Sequence, residues 1–393
     1  MKLIHTADTH LDTLFAEPGM PADYGARRRR QLRECFAKLV THALNTRADA
    51  LLVAGDLYDA GRVTRDTVNF LREQFERAAP LPVLIAPGNR DPFTADSPYA
   101  VESWPSNVVI FGDPEWRVWE ARDIPLTVHG IGFADRDPSA SDFMRLRVPR
   151  DGRIHAALAH GTAEGHLSPP HAEPRGMFSL AEIIQPGLNY VALGHAHVMR
   201  ALAREPGMQA WYCGPPEGHG FDECGHTGFL EVVVEPAADG GPPAVSISPM
   251  TTAGVFFSME TVDASAAGDA AAAAAEACER MLAAAGGVPV AGRVRLTGAA
   301  PGETRAAIHA ALEGLRPRFA WLAVLDETAL DANYGEFARE DTALGEFTRR
   351  TGDALADAAD AERAALCGRA REIGVAALLG APLDLPGLDG EAL

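Results

Sequence analysis

The chain has 393 residues and a formal charge of −19 at neutral pH, with 47% hydrophobic and 23% charged side chains. Its length suits two to three domains of roughly 100–200 residues, and its composition excludes a wholly disordered chain. An acidic balance repels polyanions on average, so nucleic-acid binding requires a local basic patch or a cationic partner.

Short apolar runs alternate with helix-like stretches over the first ~250 residues, the pattern of α/β layers. Leu3–Thr6 reads as a strand, followed by a helix over Arg28–Leu44 with Leu32, Cys35, Phe36, Leu39, Val40 and Ala43 at helical spacing. Ala50–Ala54 is the next strand, Thr64–Ala78 a second helix and Pro82–Ala86 another strand. Further strands are predicted at Val108–Phe111, Leu126–Ile131, His155–Ala159 and Tyr190–Leu193. Ser179–Ile184 reads as a short helix, with Ser179 and Glu182 at the two positions of a capping box. Residues 228–235 and 244–248 are β-rich around a Gly/Pro turn at Pro236–Pro243. Past about residue 258 alanine dominates. A Gly286–Gly287 turn, a strand over Gly292–Thr297, a helix over Thr304–Leu315, a strand over Trp321–Leu325 and one or two helices over Thr342–Leu379 predict a separate α+β domain. The expected division is therefore 1–257 and 258–393. No apolar run reaches the ~20 residues that span a bilayer, and the opening Met1-Lys2-Leu3-Ile4-His5 lacks the apolar stretch of a secretory signal, so a cytoplasmic protein without membrane contact is expected.

The informative feature is where the His, Asp and Asn residues fall. Asp8 and His10 follow the first strand, Asp56 the second and Asn89 the third; His160 then ends a later strand, and His195 and His197 follow another. The carboxyl ends of strands form the rim on which α/β sheets build sites. Taken singly, Asp56 suits a turn, His160 a buried core histidine, and Asp8 and His10 a hydrogen-bonded loop; together they point to a metal centre. The five cysteines, Cys35, Cys213, Cys224, Cys278 and Cys367, show no CxxC spacing and read as reduced thiols. With nitrogen and oxygen donors only, the set favours Mn²⁺ or another borderline-to-hard divalent ion over a structural zinc. Two such ions need a bridging carboxylate, for which Asp56 is the candidate. The pair would make hydroxide available near neutrality and neutralise phosphate charge, which is the chemistry of phosphate-ester hydrolysis.

These motifs resemble those of the calcineurin-like metallophosphoesterases: D-x-H at Asp8 and His10, G-D at Gly55-Asp56, G-N-x-D at Gly88-Asn89 and Asp91, His160, and G-H-x-H at Gly194-His195 and His197. Within that superfamily the opening KLIHTADTHLD, the GDLYD run and the segment after the second histidine pair resemble SbcD-type and YhaO-like DNA repair exonucleases. In that segment Gly214, Glu217, Gly218, Phe221, Glu223, Gly225 and Gly228 match. The resemblance covers about residues 1–235. It implies a four-layer α-β-β-α sandwich followed by a smaller α+β capping domain that docks a partner. It also implies a homodimeric, Mn²⁺-dependent DNA exo/endonuclease working with an SbcC-like ABC/SMC-type ATPase. Asp8, His10, Asp56 and His197 would hold one metal, and Asp56, Asn89, His160 and His195 the other. Alternatives are a general phosphoesterase acting on nucleotides or phosphoproteins, and a metal-binding scaffold with weak catalysis.

The last alternative arises because Arg90 stands where the family has the histidine thought to contact the scissile phosphate and protonate the leaving oxygen. Arginine stays protonated and cannot donate usefully, although its fork of donors can bind phosphate. Asp56, Arg90 and His160 are accordingly the expected catalytic residues. A nearby histidine such as His219 or His226 could replace the lost one, although an exposed loop position is the expectation for both. The run Arg27-Arg28-Arg29-Arg30 is the densest positive patch and, with Arg90, the candidate DNA contact; a solvated helix face is the alternative. Tyr58 and Phe93 could stack on bases or pack in the core. His166–Phe178 could form a lid, and the stripe Leu344, Phe347, Leu355, Ala359 and Leu366 could dock a partner or pack on its own domain.

Overall fold

The computed structural model describes residues 1–15, 20, 23–135, 137–166, 173–237, 241–265 and 269–380. They divide into two compact units, Met1–Phe256 and Phe257–Leu393.

The first unit opens with β1 (Lys2–Thr6), α1 (Tyr24–Asn45), β2 (Ala50–Val53), α2 (Arg65–Ala78) and β3 (Val83–Ile85). There follow a single-turn α3 (Pro98–Val101), β4 (Val108–Ile110), β5 (Arg117–Glu120), β6 (Leu126–Gly130), α4 (Ala140–Phe143) and β7 (Ile154–His160). The unit continues through α5 (Leu180–Ile183), β8 (Tyr190–Gly194), β9 (Arg200–Glu205), β10 (Met208–Tyr212), β11 (Gly228–Glu235) and β12 (Ala244–Thr251). The strands build two six-stranded sheets, ordered β12-β11-β1-β2-β3-β4 and β5-β6-β7-β8-β10-β9. β1 to β4 run parallel in the first sheet, and β6, β7, β8 and β10 in the second.

Strand alternation decides which side chains each layer receives. Leu3, Leu52 and Leu84 meet Val128, Leu158, Ala192 and Trp211 in the core between the sheets. Their neighbours Ile4, Leu51, Val53, Val83 and Ile85 face outward against Leu32, Phe36 and Leu39 of α1 and Leu71 and Phe75 of α2. On the outer face of the second sheet, Ala157, Ala159, Val191 and Leu193 meet Phe143, Leu146, Ile183 and Leu188. The fold is thus an α-β-β-α sandwich whose fourth layer is thin, made of the single turns α4 and α5 and the chain around them. Both faces being covered explains why β2, β7 and β8 are buried along their whole length.

The second unit takes up β13 (Phe256–Asp263), then α6 (Ala270–Ala284), β14 (Val290–Thr297), β15 (Ala299–Ala300), α7 (Gly302–Leu315), β16 (Trp321–Asp326) and β17 (Ala329–Leu330). It ends with α8 (Tyr334–Phe337), α9 (Ala343–Ala356) and α10 (Ala361–Leu378). β14 and β16 pair in parallel beside β13. Thr342–Leu379 therefore forms two helices, each opened by a side-chain cap, Thr342 on Gly345 and Asp360 on Arg363. Leu344 and Phe347 pack against Val375, Ala376 and Leu330, so that two of the stripe's five residues serve their own unit, whereas Leu366 is exposed. Among the described residues no helix is long and apolar enough to cross a membrane.

Candidate metal centre

Parallel strands of both sheets end at the same rim, and five of them carry donors there. β1 leads into Asp8 and His10, β2 into Asp56, β3 into Asn89, and β8 into His195 and His197, while β7 ends on His160 itself. The loops are stitched together by backbone bonds: Asp8 N–H donates to Gly55 C=O at 3.0 Å and His10 N–H to Asp56 C=O at 2.9 Å. Six non-glycine residues among those described take positive φ, and four of them are donors here: Asp8 (52°), His10 (46°), Asp56 (52°) and His195 (102°). Such strain persists only where surrounding contacts over-determine it, and it clusters at functional sites. Gly55 (φ 84°) and Gly88 leave room for the donors, because a Cβ on Gly88 would lie 2.3 Å from Asp56 Oδ1 and one on Gly55 2.5 Å from His160 Nδ1.

All seven sequence-predicted donors come together. Asp56 Oδ2 lies 3.6 Å from His10 Nε2 and 3.5 Å from His160 Nε2, placing Asp56 between two groups. Asn89 Oδ1 is 2.9 Å from His160 Nε2 and 3.1 Å from His195 Nδ1. Asp8, His10 and His197 form one cluster able to hold a cation, and Asp56, His160 and His195 a second, the ligand atoms of each within 4.8 Å of one another.

The donor chemistry fits a cation. His10 donates Nδ1–H to Asp59 at 2.8 Å, His197 donates Nδ1–H to Glu223 at 2.5 Å, and His160 donates Nδ1–H to the Ala54 carbonyl at 2.9 Å. With Nδ1 engaged in this way, each ring directs its Nε2 into the site, where Nε2 of His10 and His197 stand only 3.2 Å apart. Imidazole ligands are commonly oriented in this way by a carboxylate or carbonyl behind them. Asp8 Oδ2 and His195 Nε2 are buried without a hydrogen-bond partner. Such groups are costly unless a ligand completes them.

Electrostatics agree. Burial pushes the Asp8 carboxyl up to about 7 against the pull of His197 and His160, and burial brings His195 down to about 3. Burial alone would lower His197, but Glu223, with Asp8 and Asp56 behind it, raises it to about 10. Asp56 is likewise desolvated, yet His160, His10 and the Arg90 N–H hold it below the usual carboxylate range. Asp56 thus stays ionised at the centre, and the buried Asp8 carboxyl beside it is placed to exchange its proton for a divalent cation.

Asp91 fastens the floor. It accepts from the backbone N–H of Asp56, Leu57 and Gly88 and from Tyr99 Oη at 2.6–2.9 Å. The Arg90 N–H donates to Asp56 Oδ1 at 2.7 Å while its side chain is exposed.

Arg28 must be removed from the predicted nucleic-acid surface. Its side chain is fully buried, paired with Glu217 and donating to the Gly218 carbonyl at 2.6 Å, so no phosphate can reach it. Arg27 and Arg30 are exposed and Arg29 partly so. His219 also departs from expectation: it is partly buried at the site, 5.3 Å from the His10 ring, whereas His226 is exposed against Phe256. Tyr58 is fully buried against Tyr99 and cannot stack on a base. Of the predicted lid, residues 167–172 lie outside the described residues. The site residues to which sequence reasoning assigned no role are Asp59 and Glu223. Both carried a signal, Asp59 as the last residue of the GDLYD run and Glu223 as one of the matched positions in the glycine-rich segment.

Comparison with known proteins places this geometry. The chain is 29% identical over 244 residues to "Uncharacterized metallophosphoesterase YhaO" of Bacillus subtilis (strain 168), an alignment covering 60% of this chain and spanning 57% of that protein's length. The crystal structure of TT1561 of Thermus thermophilus aligns over 64% of this chain and 98% of that one, at 14% identity and a TM-score of 0.35. The family model for calcineurin-like phosphoesterases matches residues 1–199, half of the chain and every one of the seven donors, and the chain belongs to that family.

Proposed function

We propose that this phosphoesterase hydrolyses the phosphodiester bonds of DNA, as the exo/endonuclease subunit of an SbcCD-like repair complex. In that reading it acts in the cytoplasm as a homodimer, with two Mn²⁺ ions and an SbcC-like ABC/SMC-type ATPase partner. The observation that carries it is the convergence of imidazole nitrogens and carboxylate oxygens on two sides of Asp56. Asp8, His10, Asp56 and His197 would hold one ion, and Asp56, Asn89, His160 and His195 the other. Bound there, the ions supply an activated water and neutralise charge on the phosphate.

The chain's own residues do the remainder. Asp59, Glu223 and the Ala54 carbonyl fix the rings of His10, His197 and His160, so those imidazoles present Nε2 without rearranging. Arg90, whose backbone N–H bonds Asp56, carries an exposed guanidinium suited to gripping a phosphate but not to releasing a proton. Support for DNA comes from the glycine-rich segment 214–228 and from Arg27, Arg29 and Arg30. The second reading, a general phosphoesterase or weakly active scaffold, rests on Arg90.

The test is hydrolysis with Mn²⁺ of single-stranded DNA, duplex DNA, bis-para-nitrophenyl phosphate and the mono-ester. DNA cleavage is expected, reduced by more than about a hundredfold in Asp56→Ala and His160→Ala, since loss of a mere outer partner of a metal ligand already costs up to that much. Activity confined to the mono-ester would favour the general phosphoesterase, and Mn²⁺ binding without turnover the scaffold.

A further inference from the structure

Behind the rim, the segment between β10 and β11 brings His219 and Glu223 against His197, and the three form a further cluster that shares His197 with the first. Glu223 is 5% exposed and uses both oxygens. Oε1 accepts from His197 Nδ1 at 2.5 Å; Oε2 accepts from the backbone N–H of His219 at 2.7 Å and from its ring at 3.0 Å. The far nitrogen of His219 donates to the Thr9 carbonyl at 3.1 Å, between Asp8 and His10. The His219 ring lies 5.3 Å from that of His10 and 5.8 Å from that of His197, with Phe15 stacked at 6.2 Å on its other side. The segment is anchored from beneath by the buried Arg28–Glu217 pair and by Glu217 accepting from the Gly254 N–H.

We propose that Glu223 is the positioning residue of the first metal subsite: its carboxylate fixes the tautomer and direction of His197, and the backbone N–H of His219 keeps that carboxylate in place. The proposal rests on the two-metal reading above. With Nδ1–H held by Glu223, His197 can present only Nε2 to the cluster of Asp8, His10 and Asp56. The charge on Glu223 also strengthens that nitrogen as a donor, as outer carboxylates do for ligating histidines. His219 has both ring nitrogens committed, one to Glu223 and one to Thr9, so it braces the site rather than standing in for the histidine that Arg90 replaces.

The experiment is calorimetric titration of the metal-free full chain with Mn²⁺, alongside circular dichroism of each variant. Wild type should bind two ions. Glu223→Gln keeps an acceptor but loses the charge, and should weaken one of the two sites by about 10- to 100-fold while leaving the other unchanged. Glu223→Asp should fall between, and serves if the amide variant does not fold. His219→Ala leaves the Glu223–His197 bond in place and should change Mn²⁺ affinity by less than about threefold, on the argument that only the bond to the ligand tunes it. Wild-type affinity in a folded Glu223→Gln protein would overturn the proposal and leave the two-metal reading intact. An equal loss in His219→Ala, or failure of both Glu223 variants to fold, would also overturn it, by showing that Glu223 serves the segment rather than His197. Absence of Mn²⁺ binding by wild type would overturn both.

Discussion

The backbone N–H of Arg90 holds Asp56 Oδ1 at 2.7 Å, a bond that any residue except proline could make at this position, while its exposed guanidinium stands where the family resemblance puts a proton donor. The two duties are separable, and Arg90→His should preserve the first while restoring the second. General-acid assistance contributes about 10²–10⁴ to a rate when the leaving group needs a proton. The expected outcome is therefore a gain of about a hundredfold in kcat on DNA, whose alkoxide leaving group is basic, and little gain on bis-para-nitrophenyl phosphate, whose phenolate leaves unaided. Comparing kcat for the two substrates in wild type and variant checks this; equal gains, or none on DNA, would mean that position 90 does not meet the leaving oxygen. Asp91 is a contrasting case one residue on. It is buried beneath Asp56 and accepts four hydrogen bonds, and it shapes the loop without facing a substrate.

Elements differ in how plainly the chain announces them, and burial is the reason. β1, β2, β3, β7 and β8 are largely apolar runs because both of their faces are covered, and a polar donor ends β7 or follows within a few residues of each of the others because the rim lies there. That coincidence made the seven donors legible before any coordinates. β5 (RVWE) and β9 (RALARE) are edge strands, mostly exposed and charged, and carry no such pattern. Glu223 and Asp59 escaped for another reason: a residue that orients a ligand is fixed by tertiary approach, and Glu223 lies 26 positions from the His197 it holds. In the second unit, β16 ends on Asp326, a carboxylate no motif singled out. Burial would push it up, but bonds donated by His309, by Thr328 through its N–H and hydroxyl, and by Arg305 hold it well below the usual carboxylate range. A carboxyl depressed in the folded state contributes stability that is present above its unfolded value near 4 and is lost as pH falls below it. Amide exchange over 290–297 and 321–326 should therefore accelerate below about pH 4, and Asp326→Asn should lose about 2–4 kcal/mol at neutral pH and much of that acid sensitivity. Unchanged exchange in the variant would show that the β14–β16 pairing does not depend on this cluster.

Across the whole molecule, a charge of −19 opposes approach to a polyanion, so affinity for DNA must come from a few placed cations. The structure divides the arginine run of α1 by function. Arg28 turns inward to Glu217 and Gly218, beneath the segment that carries His219 and Glu223, and so belongs to the scaffold of the site. Arg30 faces solvent, Arg29 partly so, and Arg27 is exposed but paired with Asp23 at 3.4 Å. Phosphate contacts release counterions, and log affinity falls with log salt by about 0.9 per contact on duplex DNA. If the exposed arginines meet the backbone, Arg29→Gln with Arg30→Gln should weaken binding alike on all sequences and reduce the salt slope by about one to two. Arg28→Gln should behave in the opposite way. Leaving Glu217 unpaired in the core should cost about 3–5 kcal/mol of stability, and the salt slope of whatever protein remains folded should not change. Fluorescence anisotropy of a labelled duplex at several salt concentrations, read beside melting curves, separates the two effects. A wild-type slope near zero would mean that this chain makes no phosphate contacts of its own, and the proposed action on DNA would then require a cationic partner to overcome the charge of −19.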